Sequence, residues 1–225
     1  AGSAVGQTAD SAYAKVNAIN AGGVSGLTAT ATNVTSGTFS TVATASGAST
    51  YNLTVNGIAI YAGSDNLASG ASLTASDVAA QINLFSTQTG VSAAVSGTSL
   101  TLTASDGRNV AVTETLTAGA GATLTGTGIA AAQEGTVRGT ITLSAAQNLT
   151  LGGTSAATSN LAIGFTGTGG FPGTSVAVDT TTLSTVNVST VANSNTAIQR
   201  TDAALTAVSS LRSQLGAIQN RFEST

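Results

Sequence analysis

The sequence predicts an α+β protein: a mainly β body with short helices, followed by a long C-terminal amphipathic α-helix. Two observations carry this. First, residues before about 188 are rich in Ala, Thr, Ser and Gly, with short alternating apolar runs and turn signals. Second, the pattern changes in Asn195 to Thr225. There Ile198, Leu205, Val208, Leu211, Leu215, Ile218 and Phe222 recur at steps of three, four and seven. That spacing places them on one stripe of a helix. Arg200, Asp202, Arg212, Gln214, Gln219 and Arg221 fall on the other face, suited to water or polar partners. A helix with such a stripe must pack on another helix, of its own chain or of a neighbour.

Taken in order, Asp10 to Ala21 predicts a short helix with Ala12, Val16 and Ile19 inward, stopped by Gly22-Gly23. A strand follows near Leu27 to Val34. Asn56-Gly57 between Leu53-Thr54-Val55 and Ile58-Ala59-Ile60 is a hairpin signal, because a type I′ turn needs two residues that tolerate positive φ. Thr74 or Ser76 caps a helix running to about Thr87, with Asp77 at the favourable end of its dipole and Val78, Ile82 and Phe85 as its buried stripe. Leu100 to Thr103 and Val110 to Val112 alternate on either side of Asp106-Gly107.

Residues 116 to about 188 read as all-β. Gly119 to Gly128 reads as a low-complexity loop. Val137 to Leu143, Leu149 to Leu151, Leu161 to Phe165, Ser175 to Val178 and Leu183 to Val188 are the expected strands. The Gly-rich stretch Gly167 to Gly173, with Pro172, reads as a loop. The expected domains are a β-rich region over 1–188, divided into a module at 49–115 and an all-β portion at 116–188, and the helix over 189–225.

Composition excludes several function classes. Only 7% of residues are charged, against about 25% in an average soluble protein. There is no His or Cys, so no Ser/His/Asp or Cys/His nucleophile and no ordinary zinc site is expected. We expect no enzyme activity, no cofactor and no metal. Asp65 and Asp77 form a conceivable carboxylate pair, but each is better explained by a turn or a helix start. The basic residues are Lys15 and the scattered Arg108, Arg138, Arg200, Arg212 and Arg221, so no nucleic-acid partner is expected. No apolar run approaches the roughly 20 residues of a membrane span. Asn33, Asn52, Asn148 and Asn187 each begin an Asn-x-Ser/Thr pattern, mostly by chance in so Thr-rich a chain.

Two segments carry a family resemblance. Asp202-Ala203-Ala204-Leu205, Ser209-Ser210-Leu211-Arg212, Leu215-Gly216-Ala217 and Gln219-Asn220-Arg221-Phe222-Glu223-Ser224 resemble the start of the conserved C-terminal region of bacterial flagellins. Leu53 to Val112 is similar to a short module repeated in flagellin variable regions and in the filament-capping protein. A partial copy spans Ser11 to Ala29: Ile19-Asn20 matches Ile82-Asn83, and Gly26-Leu27-Thr28-Ala29 matches Gly90-Val91-Ser92-Ala93. Self-similarity of this kind marks a reused supersecondary unit. Together the resemblances cover about half of the chain.

The resemblance implies a structural subunit of the flagellar filament. Helical inner segments would assemble, and the β region would face outward. It implies an extracellular protein exported without a cleaved signal peptide. Its partners would be other flagellin subunits, an export chaperone and an innate immune receptor. It also marks this chain as a fragment that lacks the family's N-terminal inner helices. The seam Ile198, Leu205, Val208, Leu211, Leu215, Ile218 and Phe222 would then bury against partner helices, with Arg200, Arg212 and Arg221 on the polar face. The rival from another class is a cell-surface adhesin or glycan-binding module. The scarcity of aromatic residues, 4% of the chain, argues against a stacking sugar site.

Overall fold

The computed structural model describes residues 2–24, 27–145, 149–150, 175–176, 186–189 and 191–223. The described protein is mixed α and β, with more sheet than helix in its body. Contacts divide it into two units. One is Ala1–Lys15 with Ala31–Ile141, the other Val16–Thr30 with Thr142–Thr225.

Helix α1 (Ala12–Ala21) starts where the Ser11 hydroxyl accepts the Ala14 N–H and ends at Gly23, whose φ of 65° only glycine adopts freely. Strand β1 (Leu27–Thr38) runs four residues past the expected end at Val34. Strands β2 (Val42–Thr44), β3 (Ser49–Val55) and β4 (Ile58–Tyr61) follow. The β3–β4 hairpin turns on Asn56 and Gly57, with φ of 51° and 78°, as a type I′ turn requires. After β5 (Ser72–Leu73) comes α2 (Ala75–Leu84). Thr74 rather than Ser76 is its N-cap. Its hydroxyl accepts the Asp77 N–H, and the Asp77 carboxylate accepts the Thr74 N–H, forming a capping box. The single expected helix breaks at Phe85, and α3 (Ser86–Thr89) takes over until Gly90 turns left-handed.

Strands β6 (Ser92–Ser96) and β7 (Ser99–Ala104) form a hairpin. Strand β8 (Val110–Ala118) comes next. The Asp106-Gly107 turn therefore joins β7 of one sheet to β8 of another. Three expectations need correction in the next segment. The Gly119 to Gly128 stretch is not only loop, because Leu124–Thr125 is a strand, β9, paired with β2. The expected strand Val137 to Leu143 is two strands, β10 (Gly135–Val137) and β11 (Thr140–Ala145). The chain changes sheets at Gly139, where a Cβ would lie 2.8 Å from the Thr32 carbonyl oxygen and 2.9 Å from that of Gly107. Backbone packed this closely requires glycine. Third, Val186 to Val188 are not a strand. The Asn187 side chain accepts from the Ser189 N–H and hydroxyl, a local bond that competes with ladder pairing. The expected strand Leu161 to Phe165, the stretch Gly167 to Gly173 and the first residues of Leu183 to Val188 lie outside the described residues.

Two four-stranded sheets run in the orders β11-β1-β7-β6 and β10-β8-β3-β4. A smaller sheet has the order β5-β2-β9, and β12 (Leu149–Thr150) pairs with β13 (Ser175–Val176). Strand β3 alternates strictly, burying Ser49, Tyr51, Leu53 and Val55. Tyr51, Leu53 and Val55 join Leu100 and Leu102 of β7, Val110 and Val112 of β8, and Val78 and Ile82 of α2 in one hydrophobic cluster. The second unit contains the last helix, α4 (Val191–Glu223).

Candidate assembly helix and asparagine clamps

Helix α4 begins in a cluster of small polar side chains. Asn187 accepts from the Asn193 amide, and the Ser194 hydroxyl donates to the Val188 carbonyl. Arg221 sits in the last turn, where a cation complements the helix dipole. Every residue of the expected seam lies on this one helix and is exposed. Ile198 and Leu205 are each 61% exposed, Val208 47%, Leu211 and Leu215 58%, Ile218 49% and Phe222 80%. Among the described residues, none of them belongs to the hydrophobic core cluster. Val208, Leu215 and Phe222 follow one another by seven residues, as do Leu211 and Ile218, so they form adjacent ridges of a single stripe. Each such side chain contributes roughly 1.5–3 kcal/mol when fully buried. On the polar side, Arg200 is half-buried, and Arg212, Gln214, Gln219 and Arg221 are exposed. The Asp202 side chain lies outside the described residues.

The repeated module has a structural counterpart. Asn83, just inside the end of α2, donates its amide to the Ala93 carbonyl and accepts the Ala93 N–H, both at 2.8 Å. Asn20, in the last turn of α1, makes the same pair with Ala29, at 2.9 and 2.8 Å. Ile-Asn and Ala are the positions aligned between the two sequence copies. In each copy a planar side-chain amide stands in for a neighbouring strand at one residue of β1 or β6. The sequence shows the repeat but not what its asparagine does. Two further clamps lie in the module but outside the positions aligned between its two copies. Asn66 makes the paired bonds to the backbone of Tyr51, at 2.8 and 2.6 Å. Asn56 accepts from the Ala111 N–H and donates to the Thr89 carbonyl. Asn83→Ala should cost about 1–3 kcal/mol, because it leaves the Ala93 N–H and carbonyl without their partner. Denaturant melting checks this, and a loss within 0.3 kcal/mol would mean that water replaces the amide at no cost.

A group of charges joins the end of the module to the first residues of the chain. Arg108 pairs with Asp106 at 2.8 Å, and Gln7 donates to the same carboxylate. Burial alone would raise the Asp106 carboxyl, but the hydrogen bonds from Arg108 and Gln7 outweigh it and hold it below its usual value. Asp10 accepts from the Thr8 hydroxyl, which lowers its carboxyl, and Arg138 at 2.8 Å lowers it further. Both carboxylates are depressed, so they stabilise the fold above the ordinary carboxylate range. That contribution is lost as pH falls through the lowered values. Arg108 also donates to the Val5 carbonyl, and the Asn109 N–H donates to Gly6, so the cluster pins residues 5–10. Gly90 makes room for it: a Cβ there would sit 2.0 Å from an Arg108 guanidinium nitrogen.

Asp65 occupies a left-handed turn position, and Asp77 is engaged in its capping box. Among the glycosylation patterns, Asn33 is 1% exposed and donates to the Arg108 and Val137 carbonyls, so its amide is not free for a glycan. Asn52 is half-buried, Asn187 is exposed, and Asn148 lies outside the described residues. Among the described residues no group of three or more carboxylates forms a metal-binding cluster. No described helix is long and apolar enough to cross a membrane. Comparison with protein-family models gives no match, and neither does comparison with curated proteins.

Proposed function

We propose that this chain is the variable region of a flagellin, a structural subunit of a bacterial flagellar filament, joined to the start of its C-terminal inner helix. One observation carries the reading. The stripe from Ile198 to Phe222 is exposed along α4, in the segment whose polar residues also resemble the flagellin C-terminal region. An apolar stripe of this length, left about half exposed or more at every position, calls for helical partners. In this reading α4 is the amphipathic helix of the family plan, and its partners are the inner helices of the same and neighbouring subunits. The β-rich units are displayed outside the cell. The matching clamps at Asn20 and Asn83 give the reading a second support, since they fall at the positions aligned with the flagellin-type module.

The test joins this chain to its native flanking sequence and seeds it with filament fragments, viewed by electron microscopy. Helical filaments are the expected result. A persistent monomer with intact termini would overturn the filament reading and turn attention to glycan and host-surface binding.

A further inference from the structure

Glu114 is a carboxylate on the core face of β8, directly across from Leu53 on β3. Above it runs the segment 126–134, strapped down at three places. Gly128 exchanges both backbone hydrogen bonds with Ser40. Ile129 is buried, 3% exposed, and its N–H donates to the two Glu114 oxygens at 3.1 Å each. Gln133, with no exposure, donates to the Thr35 and Leu100 carbonyls and so ties β1 to β7. The fit at the carboxylate is close: a Cβ on Gly128 would come 2.1 Å from a Glu114 oxygen. The one side chain holding the Ile129 N–H is therefore a titratable group confined beneath a strap.

We propose that Glu114 is a proton-operated clasp: proton uptake tightens the strap 126–134 over the core, and ionisation loosens it. Opening the strap would hydrate the carboxylate, so the closed state binds the proton more tightly than the open one. Burial pushes the Glu114 carboxyl above its usual range. The Tyr51 hydroxyl of β3 and the Ile129 N–H oppose that rise, and the charge of Glu134 on the strap reinforces it. The protonated group keeps a carbonyl oxygen to accept the Ile129 N–H. For a carboxyl with a raised closed-state value, linkage makes closure strongest at low pH. It weakens as pH rises through that value.

Amide hydrogen exchange of Ile129, corrected for its intrinsic rate, tests this from neutral pH down through the ordinary carboxylate range. Protection of Ile129 should rise several-fold on acidification, while strand amides of β7 and β8 change little. In Glu114→Gln, protection should be high throughout and independent of pH. A flat or falling Ile129 profile in the native chain overturns the proposal. So does a rise shared equally by the strand amides, which would report global stability and not the strap. A pH dependence that survives in Glu114→Gln would also overturn it. If the variant does not fold, the native profile alone decides.

Discussion

Leu215→Asp, made in the chain with its native flanks, should abolish seeded filament growth while leaving the subunit's melting temperature nearly unchanged. Leu215 is 58% exposed on α4, so the isolated chain buries little of it. A surface substitution of this kind usually changes stability by no more than about 0.5 kcal/mol. The cost arises on assembly, where an ionised carboxylate would be forced into an apolar contact without a partner. Such a charge carries a penalty of several kcal/mol, on top of the roughly 1.5–3 kcal/mol of leucine burial forgone. Circular dichroism melting and electron microscopy of the same sample separate the two effects. Normal filaments from the variant would remove Leu215 from the assembly surface. A large drop in melting temperature would place its partner inside the subunit.

Ile82→Ala should destabilise the module by about 2–5 kcal/mol. Ile82 has no exposure and lies in the cluster shared with Val78, Leu100 and Leu102. Truncation removes apolar surface and leaves a cavity that strands on two sheets cannot easily close. Leu84, two residues on and 74% exposed, is the internal control, and its alanine variant should change stability by at most about 0.5 kcal/mol. Urea titration distinguishes them. Equal losses from both would show that α2 is not seated on the core through Ile82.

Features written within a few residues of one another could be read from the sequence. Asn56-Gly57 specifies its turn because the turn needs two positive φ values. Thr74-Ala75-Ser76-Asp77 marks a helix start but leaves the cap open between Thr74 and Ser76; the structure shows Thr74 and Asp77 each reaching the other's backbone. The duplicated Ile-Asn pair pointed to a reused unit, and the structure supplies its chemistry. Other features depend on partners distant in the chain. Gly139 looks like one more glycine in a glycine-rich chain until Thr32 and Gly107 close around it. Asn66 reads as a loop residue because its partner, Tyr51, belongs to a strand whose neighbour is set by sheet topology. Glu114 sits in the run Thr113-Glu114-Thr115, where alternation places it on the core face but gives no reason for a carboxylate there. The reason lies in the strap above it.

The asparagine clamps bear on how many copies of this chain could live side by side. Exposed strand edges are templates on which neighbouring chains can zip together, and many proteins discourage this with lysines or net charge. This chain has one lysine and a net charge of −3, so mutual repulsion is weak. Asn83 instead occupies the Ala93 N–H and carbonyl on β6, an edge strand of its sheet, which an incoming strand would have to pair with. Such a surface can be crowded at high density and still resist sheet-to-sheet growth. It does so by leaving fewer hydrogen bonds to offer, a form of colloidal protection that salt does not screen.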